Sequence, residues 1–152
     1  HPVYKCIEQK IDMVELSIRI EPSTSYIDET FKRKTTAVAL IDRWYKFEGN
    51  AIAYTFTLIP IDTVSSLDID LNDKDEVLKI LEENIYEICN NILVEIKYST
   101  SGNFAAKKYK ISDEDQFYLI QETLYKSNDF PIVSNKHYLP IKSTSIKFHP
   151  LR

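Results

Sequence analysis

Only two of the 152 residues are glycine, Gly49 and Gly102. A phosphate-cradling loop or a dinucleotide fingerprint needs several glycines at fixed spacing, because the backbone must approach the phosphates where a Cβ would intrude. P-loop and Rossmann chemistry are thereby excluded. Two glycines do allow two tight turns. Gly49 lies in Glu48-Gly49-Asn50, between apolar, β-branched and aromatic runs at 37–47 and 51–61. This predicts a β-hairpin with positive φ in its loop. Gly102 has the corresponding place in 99–103, a turn expected to join a strand at 92–98 to a strand at 104–111.

The chain has the length of one domain, residues 1–152, and its start at His1-Pro2 suggests a fragment of a longer protein. Hydrophobic residues make up 43%, a globular value, while no apolar run approaches the ~18 residues of a membrane span. The net charge of -4 gives no overall attraction to nucleic acid or anionic lipid. Charge is nevertheless segregated. Residues 71–100 carry three Lys and seven Asp/Glu, whereas 130–152 carry Lys136, Lys142, Lys147 and Arg152 with no acid. Cys6 and Cys89 are too few for a disulfide framework, and Asn-x-Ser/Thr is absent. Both features fit free thiols in an intracellular protein, cytoplasmic or nuclear.

Period-two alternation of Val14, Leu16, Ile18 and Ile20 predicts a strand at 13–20. Residues 21–25 read as a turn and 28–34 as an exposed connection. The acidic stretch 62–73 ends in Asp73-Lys-Asp-Glu76, a capping box. The following stripe of Val77, Ile80, Leu81, Ile85, Ile88, Cys89 and Ile92 predicts a helix, with Lys79, Glu82, Glu83 and Glu87 on its solvated faces. Ile85 and Ile88 are expected in the core. A second helix is predicted from Ser112-Asp-Glu-Asp115, with Phe117, Ile120 and Leu124 on one side, and Pro131 and Pro140 are taken to break regularity before a last strand at 142–148. The result is an α+β fold: an antiparallel sheet with two main helices on one face, in a βαββαβ ferredoxin-like series preceded by additional N-terminal strands. A strand meander backed by helices is the competing arrangement.

No motif implies a cofactor or a metal. Asp68-x-Asp70-x-Asn72 has the alternating oxygens of a calcium loop, but Asp73 stands where the turn glycine belongs and Lys79 where the bidentate Glu belongs. No Gly-x-Ser-x-Gly elbow is present, so no catalytic residue is assigned. Non-catalytic interaction or scaffolding within a larger assembly is therefore the expected function, with a protein partner or a second copy of the chain. Arg43, Trp44, Lys136, His137, Lys142 and Lys147 are the candidate partner-binding residues, because aromatic and cationic anchors dominate interfaces. Neither nucleic acid nor membrane is expected as a partner. Two alternatives stand beside this reading. A small hydrolase or transferase with a site assembled from distant residues would be favoured by a pocket pairing His137 with a carboxylate at hydrogen-bond distance. An RNA-binding module would need an aromatic platform on 51–61 and 104–111.

Overall fold

A computed structural model describes residues 1–127 and 129–149. Arg152, one of the cations of the basic C-terminal segment, lies outside the described residues. The centre of the fold is a six-stranded, wholly antiparallel sheet in the order β1-β2-β3-β6-β5-β4. Its strands are β1 (Met13–Pro22), β2 (Ala37–Phe47), β3 (Asn50–Pro60), β4 (Asn91–Ser99), β5 (Phe117–Tyr125) and β6 (Pro131–Pro140). The turn between β2 and β3 has φ of 49° at Glu48 and 80° at Gly49. Two successive positive-φ residues match the twist of a two-residue hairpin.

Among the described residues, six short helices accompany the sheet: α1 (Pro2–Cys6), α2 (Ser25–Phe31), α3 (Ile61–Ser66), α4 (Lys74–Lys79), α5 (Ile85–Ile88) and α6 (Gly102–Ala106). A π-helical turn, Ile80–Asn84, joins α4 to α5. Asp73 caps α4 by accepting from the Glu76 amide, as the capping box predicts. One sheet face carries Ala39, Ile41, Ile59, Leu124 and Val133 against Val77, Leu81 and Ile85. On the other, Leu40, Leu58 and Val38 meet Ile27 and Phe31 of α2, while Trp44, Tyr54 and Phe117 meet Ala106 of α6. Central strands covered on both faces are apolar nearly throughout, which explains the dense runs of β2 and β3.

The α+β class and the antiparallel sheet are as expected; the ferredoxin-like series with two helices on one face is not what forms. The difference arises in the C-terminal half. Phe117–Tyr125 is strand β5, not a helix, because β4 and β6 pair with it on both sides and the backbone hydrogen bonds of a central position outweigh a helix-like spacing. Pro131 and Pro140 bound a strand instead of breaking one. At the two ends of β6 the missing N–H costs little. Residues 104–111 form the end of α6 and a loop, tied to β1 by Glu15, whose carboxylate accepts from Lys108 Nζ at 2.5 Å, Lys46 Nζ at 2.8 Å and the Tyr109 hydroxyl at 2.8 Å. Those hydrogen bonds, Lys108 first, pull the Glu15 pKa down to about 2. Ile141–Ser143 is a 3-10 turn and the expected strand at 142–148 does not form.

Residues 25–31, expected as turn and connection, form α2: Thr24 caps it and Ile27 and Phe31, one turn apart, are buried. Ile88 is also corrected. Val77, Leu81 and Ile85 are each 1% exposed and Ile88 is 41% exposed, since α5 ends there and the chain leaves the sheet face. Ile85→Ala is expected to cost roughly 2–5 kcal/mol by cavity formation and Ile88→Ala less than about 1 kcal/mol. Urea titration of the two variants side by side checks this, and equal losses would contradict the packing.

A buried polar belt and the cleft above it

Along β2, the side chains of Ala39, Ile41, Arg43 and Tyr45 share one face, and neighbouring strands bring Thr55, Thr57, Asn135, His137 and Glu122 to the same level. The cross-strand pairs are Arg43 with Thr55, Thr55 with His137, Thr57 with Asn135, and Asn135 with Glu122. These six residues are between 0 and 3% exposed. They form a polar belt with one apolar cluster on either side. Buried polar groups persist only when hydrogen-bonded, and here the bonds run as a chain. Arg43 Nη2 donates to Thr57 Oγ1 (2.9 Å), whose hydroxyl donates to Asn135 Oδ1 (2.6 Å). Asn135 Nδ2 donates to Glu122 Oε1 (3.2 Å), which also accepts from His137 Nε2 (2.5 Å) and the Tyr86 hydroxyl (2.7 Å).

The other end of the chain is an ion pair. Arg43 Nη1 donates to Glu82 Oε2 at 2.8 Å, and Glu82 further accepts from the Tyr45 and Tyr4 hydroxyls at 2.6 and 2.5 Å. Glu82 lies in the π-helical turn. The helical spacing places it on a solvated face, yet its side chain is 8% exposed. The π turn brings Glu82 and Tyr86, four residues apart, over the belt while Leu81 and Ile85 stay in the core, a placement in keeping with the frequent use of π turns at functional sites. His1 completes this end, its Nε2 3.1 Å from Glu82 Oε2.

Burial lowers the His137 pKa and keeps the ring neutral. With Nε2–H donated to Glu122, Nδ1 accepts the Thr55 hydroxyl at 2.7 Å. Burial pushes Glu122 upward, but the hydrogen bond from His137, with those from Tyr86 and Asn135, outweighs it and holds the carboxyl below its usual range. Glu122 is thus a carboxylate whose titratable partner is His137.

Above Glu122 opens a cleft of about 700 Å³, within the range of small-molecule sites. Ile92, Val94 and Ile96 of β4 and Ile120 of β5 line one side, and α1 and residues 146–149 the other. Main-chain bonds from Glu8 to Ser143 and from Ser145 to Cys6 tie the two segments of that second wall together. Tyr86, His1 and Glu122 are the members of the polar assembly that reach the cleft.

The expected candidate residues separate accordingly. Arg43 and His137 are fully buried members of the belt, with no surface for a partner protein. Trp44, 5% exposed, donates its indole N–H to the Ala106 carbonyl on the opposite face. Lys136 reaches the Tyr26 hydroxyl; Lys142 is exposed by a separate groove, and Lys147 stands at the rim of the cleft. No sequence motif marks Thr55, Thr57, Glu82, Glu122 or Asn135. Their clearest signal is Thr55 and Thr57 inside the otherwise apolar run 51–60; Glu122 and Asn135 stand beside other polar residues of β5 and β6.

His137 does pair with a carboxylate, the arrangement that would favour a hydrolase. Thr55, His137 and Glu122 even follow the hydroxyl–imidazole–carboxylate order of a nucleophilic triad. Thr55 is 0% exposed and does not line the cleft, so its hydroxyl has no route to a substrate carbonyl. The RNA platform also does not form, because 104–111 contributes no strand. Among the described residues no group of three acidic, His or Cys side chains converges as a metal site, and no helix is long and apolar enough to cross a membrane.

The amino-acid sequence matches no family model and resembles no curated protein. The fold, in contrast, is shared with several solved structures. The ligand-binding domain of a Bordetella bronchiseptica protein assigned to the GntR family of transcriptional regulators superposes with a TM-score of 0.70 at 10% identity, covering 96% of each chain. A GntR-family transcriptional regulator from Enterococcus faecalis gives 0.72 at 12% identity over 91% of this chain and 100% of that one. The C-terminal domain of the histidine utilization repressor from Pseudomonas syringae gives 0.69 at 8% identity over 91% and 98%. These likenesses show the fold alone. They correct the scaffold and adaptor expectation: the solved domains of this fold named above are described as parts of transcriptional regulators or a repressor, one of them as a ligand-binding domain.

Two measurements test the belt. Glu82→Gln leaves Arg43 buried without its counter-ion and is expected to cost about 3–5 kcal/mol, whereas replacing both partners by apolar residues costs less. A urea double-mutant cycle checks this. Second, unfolded His137 takes up a proton near 6.5 and the folded ring only at lower pH, so the unfolded state gains protons first. Stability is expected to fall as pH drops below 6.5, with His137 contributing up to about 1.4 kcal/mol per pH unit. The urea midpoints of His137→Gln should show a shallower slope between pH 6.5 and about 5; an unchanged slope would mean the folded ring is already charged.

Proposed function

We propose that this chain is the ligand-binding module of a transcriptional regulator, in which a small molecule seated in the cleft alters the activity of a separate DNA-binding domain. The observation that carries this reading is the polar belt ending on Glu122 at the floor of an apolar-walled cleft. A wholly structural belt would be sealed under the helices. This one presents Glu122 and Tyr86 to a cavity of small-molecule size, with few polar groups and mostly apolar lining, the usual composition of such sites. Arg43 and His137 act here as positioning residues: Arg43 anchors Glu82 and the π turn, and His137 holds Glu122 in place. Lys147 stands at the entrance. The module itself is non-catalytic, and contact with nucleic acid belongs to the rest of the regulator.

The test is a thermal-shift screen of small metabolites on the isolated chain, followed by DNA-binding measurements on the full regulator. A genuine ligand at a hundredfold excess over its Kd is expected to stabilise the fold by about 2.7 kcal/mol, and Val94→Trp, which fills the cleft, should abolish the effect. Ligands whose effect survives Val94→Trp would place binding elsewhere and overturn the assignment.

A further inference from the structure

The sheet ends in two edge strands, β1 and β4, and they are finished differently. An edge presents unpaired N–H and C=O groups to any passing chain, and edges that stay single carry charges, prolines or a covering segment. β1 carries such devices: Lys74 Nζ donates to the Leu16 carbonyl at 3.3 Å, Lys108 of the 104–111 segment reaches Glu15, and Pro22 ends the strand. β4 is bare. Among the described residues no side chain bonds to its main chain, and residues 93–98 are all exposed. Leu93, Val94, Ile96 and Tyr98 are between 41 and 62% exposed. An apolar, nine-residue edge of this kind is a template for another strand.

The charges of β4 select the strand that fits. Side chains directly opposite each other on paired strands share a face, so two copies of β4 related by a two-fold axis pair antiparallel with one residue facing itself. Centred on Ile96, this register sets Glu95 opposite Lys97 of the second copy and Lys97 opposite its Glu95, with Val94 opposite Tyr98 on the other face. Centring on Glu95 or Lys97 sets like charges face to face, and centring on Val94 leaves them opposite Leu93 and Asn91. Within one chain the Glu95 and Lys97 charges are 3.8 Å apart with about half of each side chain exposed, so both are open to a facing strand. We infer that β4 is a self-pairing edge: two copies of this chain join through it, antiparallel and centred on Ile96, and their six-stranded sheets run on as one. The contact is closed, because each copy spends its bare edge on the other and the guarded β1 offers no site for a third. Val94 and Ile96 also line the cleft, so Tyr98 of the second copy extends that wall. Pairing of the edge does not require a ligand in the cleft.

The experiment is sedimentation velocity on the chain at concentrations from about 1 μM to about 1 mM, the range of modest affinities. The unchanged chain is expected to sediment as a dimer at the upper end. Glu95→Lys and Lys97→Glu each set like charges opposite one another, and each is expected to weaken the dimer at least about tenfold. In an equal mixture of the two variants, one copy brings two lysines and the other two glutamates to these positions, so the mixture is expected to regain the dimer. The double variant Glu95→Lys/Lys97→Glu reverses both pairs and is expected to dimerise like the unchanged chain. Recovery in the mixture and in the double variant keeps a folding defect of a single variant from deciding the result. A monomer throughout the range, single variants that dimerise undiminished, or a mixture or double variant no tighter than the single variants overturns the assignment.

Discussion

A guanidinium without access to water has to be neutralised where it stands, and Arg43 stands at the middle of a central strand. Its partner Glu82 comes from the opposite layer, so the ion pair joins sheet to helix at one defined point. Glu82 reaches Arg43 from the π turn between α4 and α5. Glu82 and Tyr86, one turn apart, reach Arg43 and Glu122, while Leu81 and Ile85, also one turn apart, stay in the apolar cluster. Tyr4 of α1 closes on the same carboxylate, so the short N-terminal helix takes its position from the ion pair too.

From Arg43 the hydrogen bonds continue through Thr57 and Asn135 to Glu122, crossing β2, β3, β6 and β5. Within this network Arg43 Nε has no hydrogen-bond partner among the described residues, while both Nη atoms are bonded, and a vacant donor in a poorly solvated interior carries a cost that the other bonds offset. The network also fixes strand register, since a one-residue slip would turn Thr55, Thr57 and His137 to the opposite face, against Trp44 and Tyr54. The same bonds that specify the fold thus orient the carboxylate at the floor of the cleft, and under the proposed function a ligand would meet a group already held in place. This is the preorganisation a binding site requires.

The Thr55, His137 and Glu122 contacts show why a catalytic constellation cannot be recognised from bond pattern alone. Each member is at hydrogen-bond distance from the next, yet the hydroxyl lies inside the sheet and only the carboxylate opens to the cleft. Accessibility separates a positioning relay from a nucleophile. Likewise, the shared architecture with regulator domains carries the sheet order but, at 8–12% identity, not the chemistry of the ligand, which depends on the particular charges set around the cleft.

The sequence by itself determined the elements whose signals are local. The β2–β3 hairpin was legible because positive φ is cheap only at a few residues and Gly49 is one of two glycines; the α4 start was legible because Asp73 and Glu76 satisfy end groups within four residues. Tertiary structure decided the rest. Phe117–Tyr125 has the spacing of a helix and is a strand, because pairing on both edges supplies more than local preference does. Phe31 and Ile27 fold α2 from a stretch polar enough to read as loop. The belt was legible only as an anomaly, a charged residue inside an apolar run, since its members come from five separate segments and meet through cross-strand register. A buried charge reveals in sequence that a partner must exist; only the fold, by placing a π turn over the sheet, decides that the partner is Glu82.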